Sequence, residues 1–284
     1  MNMNFNSPFF ILGNPRSGTS LFRLMLNNHP EIVVPPECGF AEWLYEEFGG
    51  EEMSESTYRQ FLLKVFKTRK FETWELNFDE ILYSIKTSKP SNYQELVREI
   101  YRGYARKFGK DSAYFGDKNN YYINNVEKLE KIFPNCKKIF IVRDGRDVAC
   151  SYLELEHKNI DSIYSPNLTK DVTKIAREWC KSVAIMTSWT SGGAISIRYE
   201  DLVLDPNATL QKVCEFLNVA YSENMLDYYK NNDEPEEFKA WKGKTFEPIE
   251  GSSVGRYKRE LSLEQLADFE RISKEMLEKA GYGV

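Results

Sequence analysis

The sequence predicts an α/β protein in which a central parallel β-sheet is flanked by helices, with a helical insert after the second strand. Three observations predict it. Short apolar runs near residues 9–12, 32–34, 114–118, 138–142 and 194–197 alternate with stretches of helical spacing, as in a sheet built from strand–helix–strand units. The first run, Phe9-Phe10-Ile11-Leu12, stops at Gly13, gives way to a tight polar turn and resumes at Leu21 with helical spacing. Charged residues follow the ends of later runs, where open α/β sheets bind ligands.

The elements follow in order. Leu21, Leu24 and Met25 line one face of a helix that stops near His29-Pro30, because proline disfavours helix in the residue before it. Residues 32–34 form a short buried strand, and Pro35-Pro36 sets an extended turn that presents Glu37. Residues 40–109 are mostly helical and dense in aromatics (Trp43, Phe61, Phe71, Trp74), which reads as an insert over the sheet edge. Residues 114–118 form a strand end, and Val126, Leu129, Ile132 and Phe133 mark a helix ending at Pro134. The unbroken β-branched and aromatic run at 138–142 is the central strand. It ends at Arg143-Asp144-Gly145, where a helix begins. Val172, Ile175, Ala176, Trp179, Val183 and Met186 space out a long amphipathic helix. A strand at 194–197 and a helix through Leu210, Val213 and Leu217 follow, then a polar, irregular stretch at 231–259. Ser262 with Gln265 forms a capping box for the last helix, which stops near Gly281. No repeat or linker interrupts this order, so residues 1–284 read as a single domain, with the insert at about 40–109 and a C-terminal closing loop at about 241–260.

A hydrophobic content of 42% with 29% charged residues places the chain among soluble globular proteins. The net charge of −5 gives no basic footprint for nucleic acid, so any phosphate site must be a local basic pocket. Cys38, Cys136, Cys150, Cys180 and Cys214 are widely spaced and form no C-x-x-C; with only two histidines, no metal site is expected. Reduced thiols fit a cytoplasmic location. The first apolar run is too short for a signal or a membrane span.

The turn after residue 12 points backbone N–H groups at one spot with a helix dipole behind them, a natural place for phosphate or sulfate. Gly13, Gly18 and Ser20 match the Walker spacing G-x4-G-K-[ST], so the sheet is P-loop-like; Thr19 stands in place of the lysine, and Arg16 lies inside the loop. One reading is a nucleotide kinase or NTPase with a degenerate loop and Asp144 as magnesium ligand. Arg143, at the end of the central strand, and Ser151, eight residues on, can face one point beyond it. Arg143 could instead pair with Asp144 or Asp147, and Arg146 is a rival in the same turn. Glu37 is either a general base or a solvated turn residue, and Lys118 either a site cation or an exposed partner of Asp117.

The order of Pro15-Arg16-Ser17-Gly18-Thr19-Ser20 and of residues 29–37, 116–122, 139–152, 198–202 and 254–261 resembles the sulfotransferase family. The motif layout is similar to the bacterial and Golgi-type branch that includes protein-tyrosine sulfotransferases. Members take a sulfuryl group from 3′-phosphoadenosine-5′-phosphosulfate (PAPS) and release adenosine 3′,5′-bisphosphate (PAP). The resemblance implies that Arg16, Ser17, Gly18, Thr19 and Ser20 hold the 5′-phosphosulfate, with Arg16 neutralising the leaving phosphate. It implies Arg143 and Ser151 at the 3′-phosphate, Glu37 as general base and Lys118 on the transferring sulfuryl oxygens. Arg256 or Lys258 would add charge from the closing loop, and Tyr199 would contact adenine or pack in the core. No metal is needed, since protein cations replace magnesium.

Three departures stand out. Asn120 occupies the position of the cytosolic branch's histidine, Gly251-Ser252-Ser253 stands for its Arg-Lys-Gly, and Leu21 replaces the adenine-stacking indole. His29 reads as structural and His157 as surface. The expected acceptor is a hydroxyl or amine of a small molecule or carbohydrate, bound among the aromatics of residues 40–78 and around Trp241. Glu42, Glu46, Glu47, Asp79 and Glu80 favour a cationic or polyhydroxyl acceptor over an anionic glycan.

Overall fold

The computed structural model describes residues 7–110, 114–156, 162–189 and 193–283; His157 lies outside them. Five parallel strands, β1 (Phe9–Leu12), β2 (Ile32–Val33), β3 (Tyr114–Lys118), β4 (Lys138–Val142) and β5 (Ala194–Arg198), form one sheet in the order β2-β3-β1-β4-β5. The chain leaves β1 for the β2 edge, returns through β3 and crosses to β4, so strand order reverses at β1. Such a reversal opens a crevice at the carboxyl ends of the strands. Ile11 lies opposite both Lys118 and Ile139, which sets the ends of β1, β3 and β4 side by side.

Alternation along the strands builds two cores from one sheet. Phe10, Leu12, Val33, Phe115, Phe140 and Val142 face the insert and the helices Val172–Ser188 and Leu263–Lys279. Phe9, Ile11, Ile32, Tyr114, Ile139 and Ile141 face α1 (Thr19–Asn27) and the helices Tyr199–Leu204 and Pro206–Leu217. Both faces are covered, as a parallel sheet requires.

The insert joins β2 to β3 and covers a face of the sheet, not merely its edge, because its aromatics are core. Its helices Glu55–Val65, Phe78–Ser88 and Tyr93–Arg106 start at the side-chain caps Ser54, Asn77 and Asn92. Phe40 sits at the centre of a ring cluster with Phe61, Phe71, Trp74 and Tyr101 at centroid distances of 5.6–6.4 Å, all fully buried. These rings are therefore not available to line an acceptor pocket. The acidic residues of the insert are not in one either. Glu42 pairs with Lys128, Glu46 and Glu47 are partnered by Lys128 and Lys64, and Asp79 and Glu80 sit exposed in the first turn of their helix. The lean toward a cationic acceptor loses its basis.

Smaller boundaries also differ. α1 ends at Asn27, β2 stops at Val33, and the segment after β5 coils into the helix Tyr199–Leu204. His29 is buried, with Nδ1 accepting from the Glu31 amide at 3.0 Å and Nε2 bonded to the Ala220 carbonyl at 2.6 Å, a structural tie. The capping box of Ser262 and Gln265 is complete. No described helix is long and apolar enough to cross a membrane.

Gly116 on β3 offers a test of the packing. A Cβ there would stand 2.3 Å from the buried Phe9 ring. Gly116→Ala is expected to destabilise the protein by about 1–3 kcal/mol, read as a lower urea midpoint with unchanged slope.

Candidate active site

The loop between β1 and α1 is shaped by two left-handed residues, Arg16 at φ 69° and Gly18 at φ 93°. Gly18 is required twice over, because a Cβ there would also stand 2.4 Å from the Tyr199 ring. No side chain caps α1, so the first amides of the helix have no internal acceptor and point outward with the dipole behind them. A cavity of about 330 Å³ opens in front, lined by Arg16, Gly18, Thr19 and Ser20 of the loop and by Glu37, Arg143, Ser151 and Tyr199. Its volume is that of a small-ligand site.

Ser17 departs from expectation. Its amide bonds back to the Asn14 carbonyl at 3.2 Å, and its buried hydroxyl, without a hydrogen-bond partner, faces a small void beside Trp179 and Ser182 on the other side of the loop. The tight turn that aims the later amides outward turns Ser17 inward. Thr19 Oγ1 donates to Asn120 Oδ1 at 3.1 Å, so the asparagine at the missing histidine's position braces the loop.

Glu37 and Lys118 form a buried ion pair through Oε1, and Lys118 Nζ also donates to Ser20 Oγ at 3.2 Å. Asn119 fixes the two segments together, donating to the Cys38 carbonyl at 3.3 Å and to Asp117 Oδ1 at 3.1 Å. Asp117 itself points away, accepting from Tyr101 and Tyr122 at 2.6 and 2.8 Å, and burial pushes it up to about 6. Lys118 is thus no surface partner of Asp117. Burial, opposed by Glu37, pushes Lys118 down to about 8. Burial also acts to raise Glu37, but Lys118, Lys242 and Lys70 outweigh it and hold the carboxyl well below its ordinary value. Both groups are charged at neutral pH.

On the other side lie two guanidiniums, buried Arg143 and half-buried Arg16. Arg143 donates to the carbonyls of Arg16 at 3.2 Å and Ser253 at 2.7 Å, stacks 4.6 Å from the centre of the Tyr199 ring, and leaves Nε without a partner. Arg16 donates to Ser151 Oγ and to the Trp241 carbonyl, both at 3.0 Å. Burial lowers it to about 10, against the pull of Glu154. Its contacts place Arg16 with Ser151, not with the Glu37–Lys118 pair. Neither arginine has an ion pair among the described residues. The rival Arg146 is consumed by Asp144 and Glu270, at 2.8 Å each. Asp144 is turned into that buried pair and does not line the cavity, which removes it as a magnesium ligand.

The closing segment sorts its own cations. Arg256 reaches the cavity wall but is held by Glu154 and Glu260 at 2.8 and 2.6 Å. Lys258 is exposed, outside the wall, with its amine over Tyr257. Lys244 lines the cavity and donates to Ser253 Oγ at 2.8 Å, next to the carbonyl that holds Arg143. Lys70, Lys242 and Lys244 escaped the sequence reading; the sign available for the last two was a Lys-Gly-Lys following Trp241. Lys242 is anchored by the fully buried Glu234, which also takes Arg23 at 2.9 Å. Arg23 rises from α1 and holds Asp233 as well, which ties the closing segment to the helix behind the anion loop.

A model of the sulfotransferase family matches residues 8–223. Protein-tyrosine sulfotransferase A of Caenorhabditis elegans is 26% identical over 236 residues, covering 79% of this chain and 53% of its own length. Protein-tyrosine sulfotransferase 1 of Danio rerio is 27% identical over 240 residues, covering 79% and 59%. The chain therefore spans little more than half the length of these relatives. The solved sulfotransferase domain from the curacin biosynthetic pathway matches 98% of both chains with a TM-score of 0.65 at 20% identity. A mouse sulfotransferase complexed with PAP matches 97% of this chain and 85% of its own with a TM-score of 0.51 at 12% identity. Those two likenesses are of fold.

The Glu234 anchor has a pH signature. Burial acts to raise its carboxyl, but Lys242 and Arg23 bring it down to about 2. A depressed carboxylate contributes stability above its unfolded value, and that contribution is lost as pH falls through the folded value. The amount is on the order of 3 kcal/mol. Glu234→Gln is expected to lower stability at pH 7, and the gap to the parent protein should shrink by more than half at pH 3 in urea titrations.

Proposed function

The chain belongs to the sulfotransferase family, and we propose that it transfers a sulfuryl group from PAPS to an acceptor hydroxyl, with Glu37 as the base. The observation that carries this is the pair of arginines on one cavity wall, buried Arg143 and half-buried Arg16, neither of which forms an ion pair among the described residues. Buried charge without a counterion is costly, so the site is built for an anion that brings its own negative charge. PAPS supplies the sulfur: its bond to the bridging phosphate oxygen breaks as the acceptor oxygen attacks.

The residues divide the work. The free amides at the start of α1, with the Thr19 and Ser20 hydroxyls, take the 5′-phosphosulfate. Lys118, beside Ser20, neutralises charge that builds on the sulfuryl and leaving oxygens. Arg143, with Ser151 and Arg16, takes the 3′-phosphate, and Lys244 supplies there the charge that Arg256 spends on its own carboxylates. Leu21, Tyr199, Val203, Tyr228 and Ile249 line the apolar part of the cavity and replace an indole as the adenine wall. Glu37 removes the acceptor proton at the end walled by Lys70, Tyr164 and Trp241.

We take the acceptor to be a hydroxyl of a small molecule or carbohydrate. A tyrosine hydroxyl is the second reading, favoured by the names of the relatives. The five free thiols support a reducing, cytoplasmic location within this reading.

Calorimetry with PAP, beside ATP with magnesium, tests the donor. Micromolar PAP binding that weakens roughly 10- to 100-fold in Arg143→Ala is expected, the loss of a charge-assisted contact. Tight magnesium-dependent ATP binding without PAP binding would sink the proposal. Glu37→Gln should keep PAP affinity but lose about 10²- to 10⁴-fold in sulfate transfer from labelled PAPS to a panel of sugar, alcohol and tyrosine-peptide acceptors.

A further inference from the structure

Both oxygens of Glu37 are already occupied. Lys118 holds Oε1, and Lys70 Nζ donates to Oε2 at 2.7 Å. Lys70 comes from the insert, at the start of the tight turn Phe71–Trp74. That turn is clamped to the segment carrying Glu37: Trp74 Nε1 donates to the Pro36 carbonyl at 2.9 Å, and Phe40 packs edge-on against Phe71 and Trp74. Base and lysine therefore sit on one rigid unit. Lys70 has φ 72°, where glycine would carry no strain, so what lysine adds at this position is its ammonium group.

The two lysines differ in freedom. Lys118 is buried at the end of β3, whereas the Lys70 side chain is 23% exposed and lines the cavity. The Lys70 amine also lies 5.3 Å from the centre of the Phe238 ring, which the Lys242 amine shares at 4.6 Å. A carboxylate gripped by two ammonium groups is a poor proton acceptor, and at Oε2 an acceptor hydroxyl must compete with Lys70.

We propose that Lys70 is a positioning residue that covers the outer oxygen of Glu37 in the resting protein and yields it to the acceptor hydroxyl, swinging outward along the cavity wall. This rests on the reading of Glu37 as the base. The charged groups facing Glu37 are Lys118 from β3, Lys70 from the insert and Lys242 from the closing segment, the last offset by Glu234. Displacing Lys70 removes one of these cations and makes Glu37 more basic only when an acceptor is present.

The test is a carboxyl titration by NMR on protein labelled with ¹³C-glutamate, with Glu37→Gln used to assign the signal. Lys70→Met should raise the Glu37 midpoint by about one pH unit, Lys70→Gln should do the same, and Lys70→Arg should keep it low. With PAP present, the phenol p-cresol should raise the parent midpoint toward that of Lys70→Met and leave the Lys70→Met value unchanged. A midpoint unmoved in both neutral variants, or unmoved by p-cresol in the parent protein, overturns the proposal. The titration needs no turnover. Failure of sulfate transfer across the acceptor panel would count against the transferase reading, while the midpoints would still decide the role of Lys70.

Discussion

Register between three parallel strands is the constraint on which the site depends. Ile11 is opposite Lys118 on one side and Ile139 on the other, so the loop after β1, Lys118 at the end of β3 and Arg143 after β4 all leave the same edge of the sheet on adjacent strands. A one-residue slip in either pairing would exchange the residues that face the two cores and shift Lys118 or Arg143 along the sheet. The two cores therefore protect the chemistry as well as the fold. The Phe10, Phe115 and Phe140 face and the Phe9, Tyr114 and Ile139 face each permit only one register.

On that frame the charges fall into two classes. Arg23, Arg146, Arg256 and Lys242 are each matched by carboxylates and hold elements together. Buried Arg143 and half-buried Arg16 have carbonyls and a hydroxyl for company and no ion pair among the described residues. The same residue type ties elements together in one place and lines the cavity without an ion pair in the other. What separates them is whether a carboxylate lies within reach. Glu37 and Lys118 stand between these classes, a buried ion pair whose carboxylate lines the cavity.

Much of this was legible along the chain, and the illegible parts share a cause. The strand–loop–helix at residues 9–27, the central strand ending at Arg143, and the presentation of Glu37 after Pro35-Pro36 are local patterns, and local patterns are what spacing records. The direction of Ser17 was missed because both of its sides are polar turn in the sequence, and only the bond from its amide to Asn14 shows which way it faces. The aromatics of the insert looked like a pocket because density of rings does not distinguish a lining from a core. Lys70 and Lys244 sit in stretches without a motif, and they reach the cavity only because Trp74 and Ser253 bring those stretches to it.

The alternation of strands and helices, the glycine that the loop's left-handed turn requires and the ordered motifs that mark the family can all be read along the chain. These depend on backbone preference and periodicity, which act between near neighbours. The tertiary structure alone decided which cations are neutralised and which are left bare. It also decided that a lysine from the insert shares the carboxylate of Glu37. Charge compensation depends on distances between residues far apart in the chain, and no spacing along the sequence contains them.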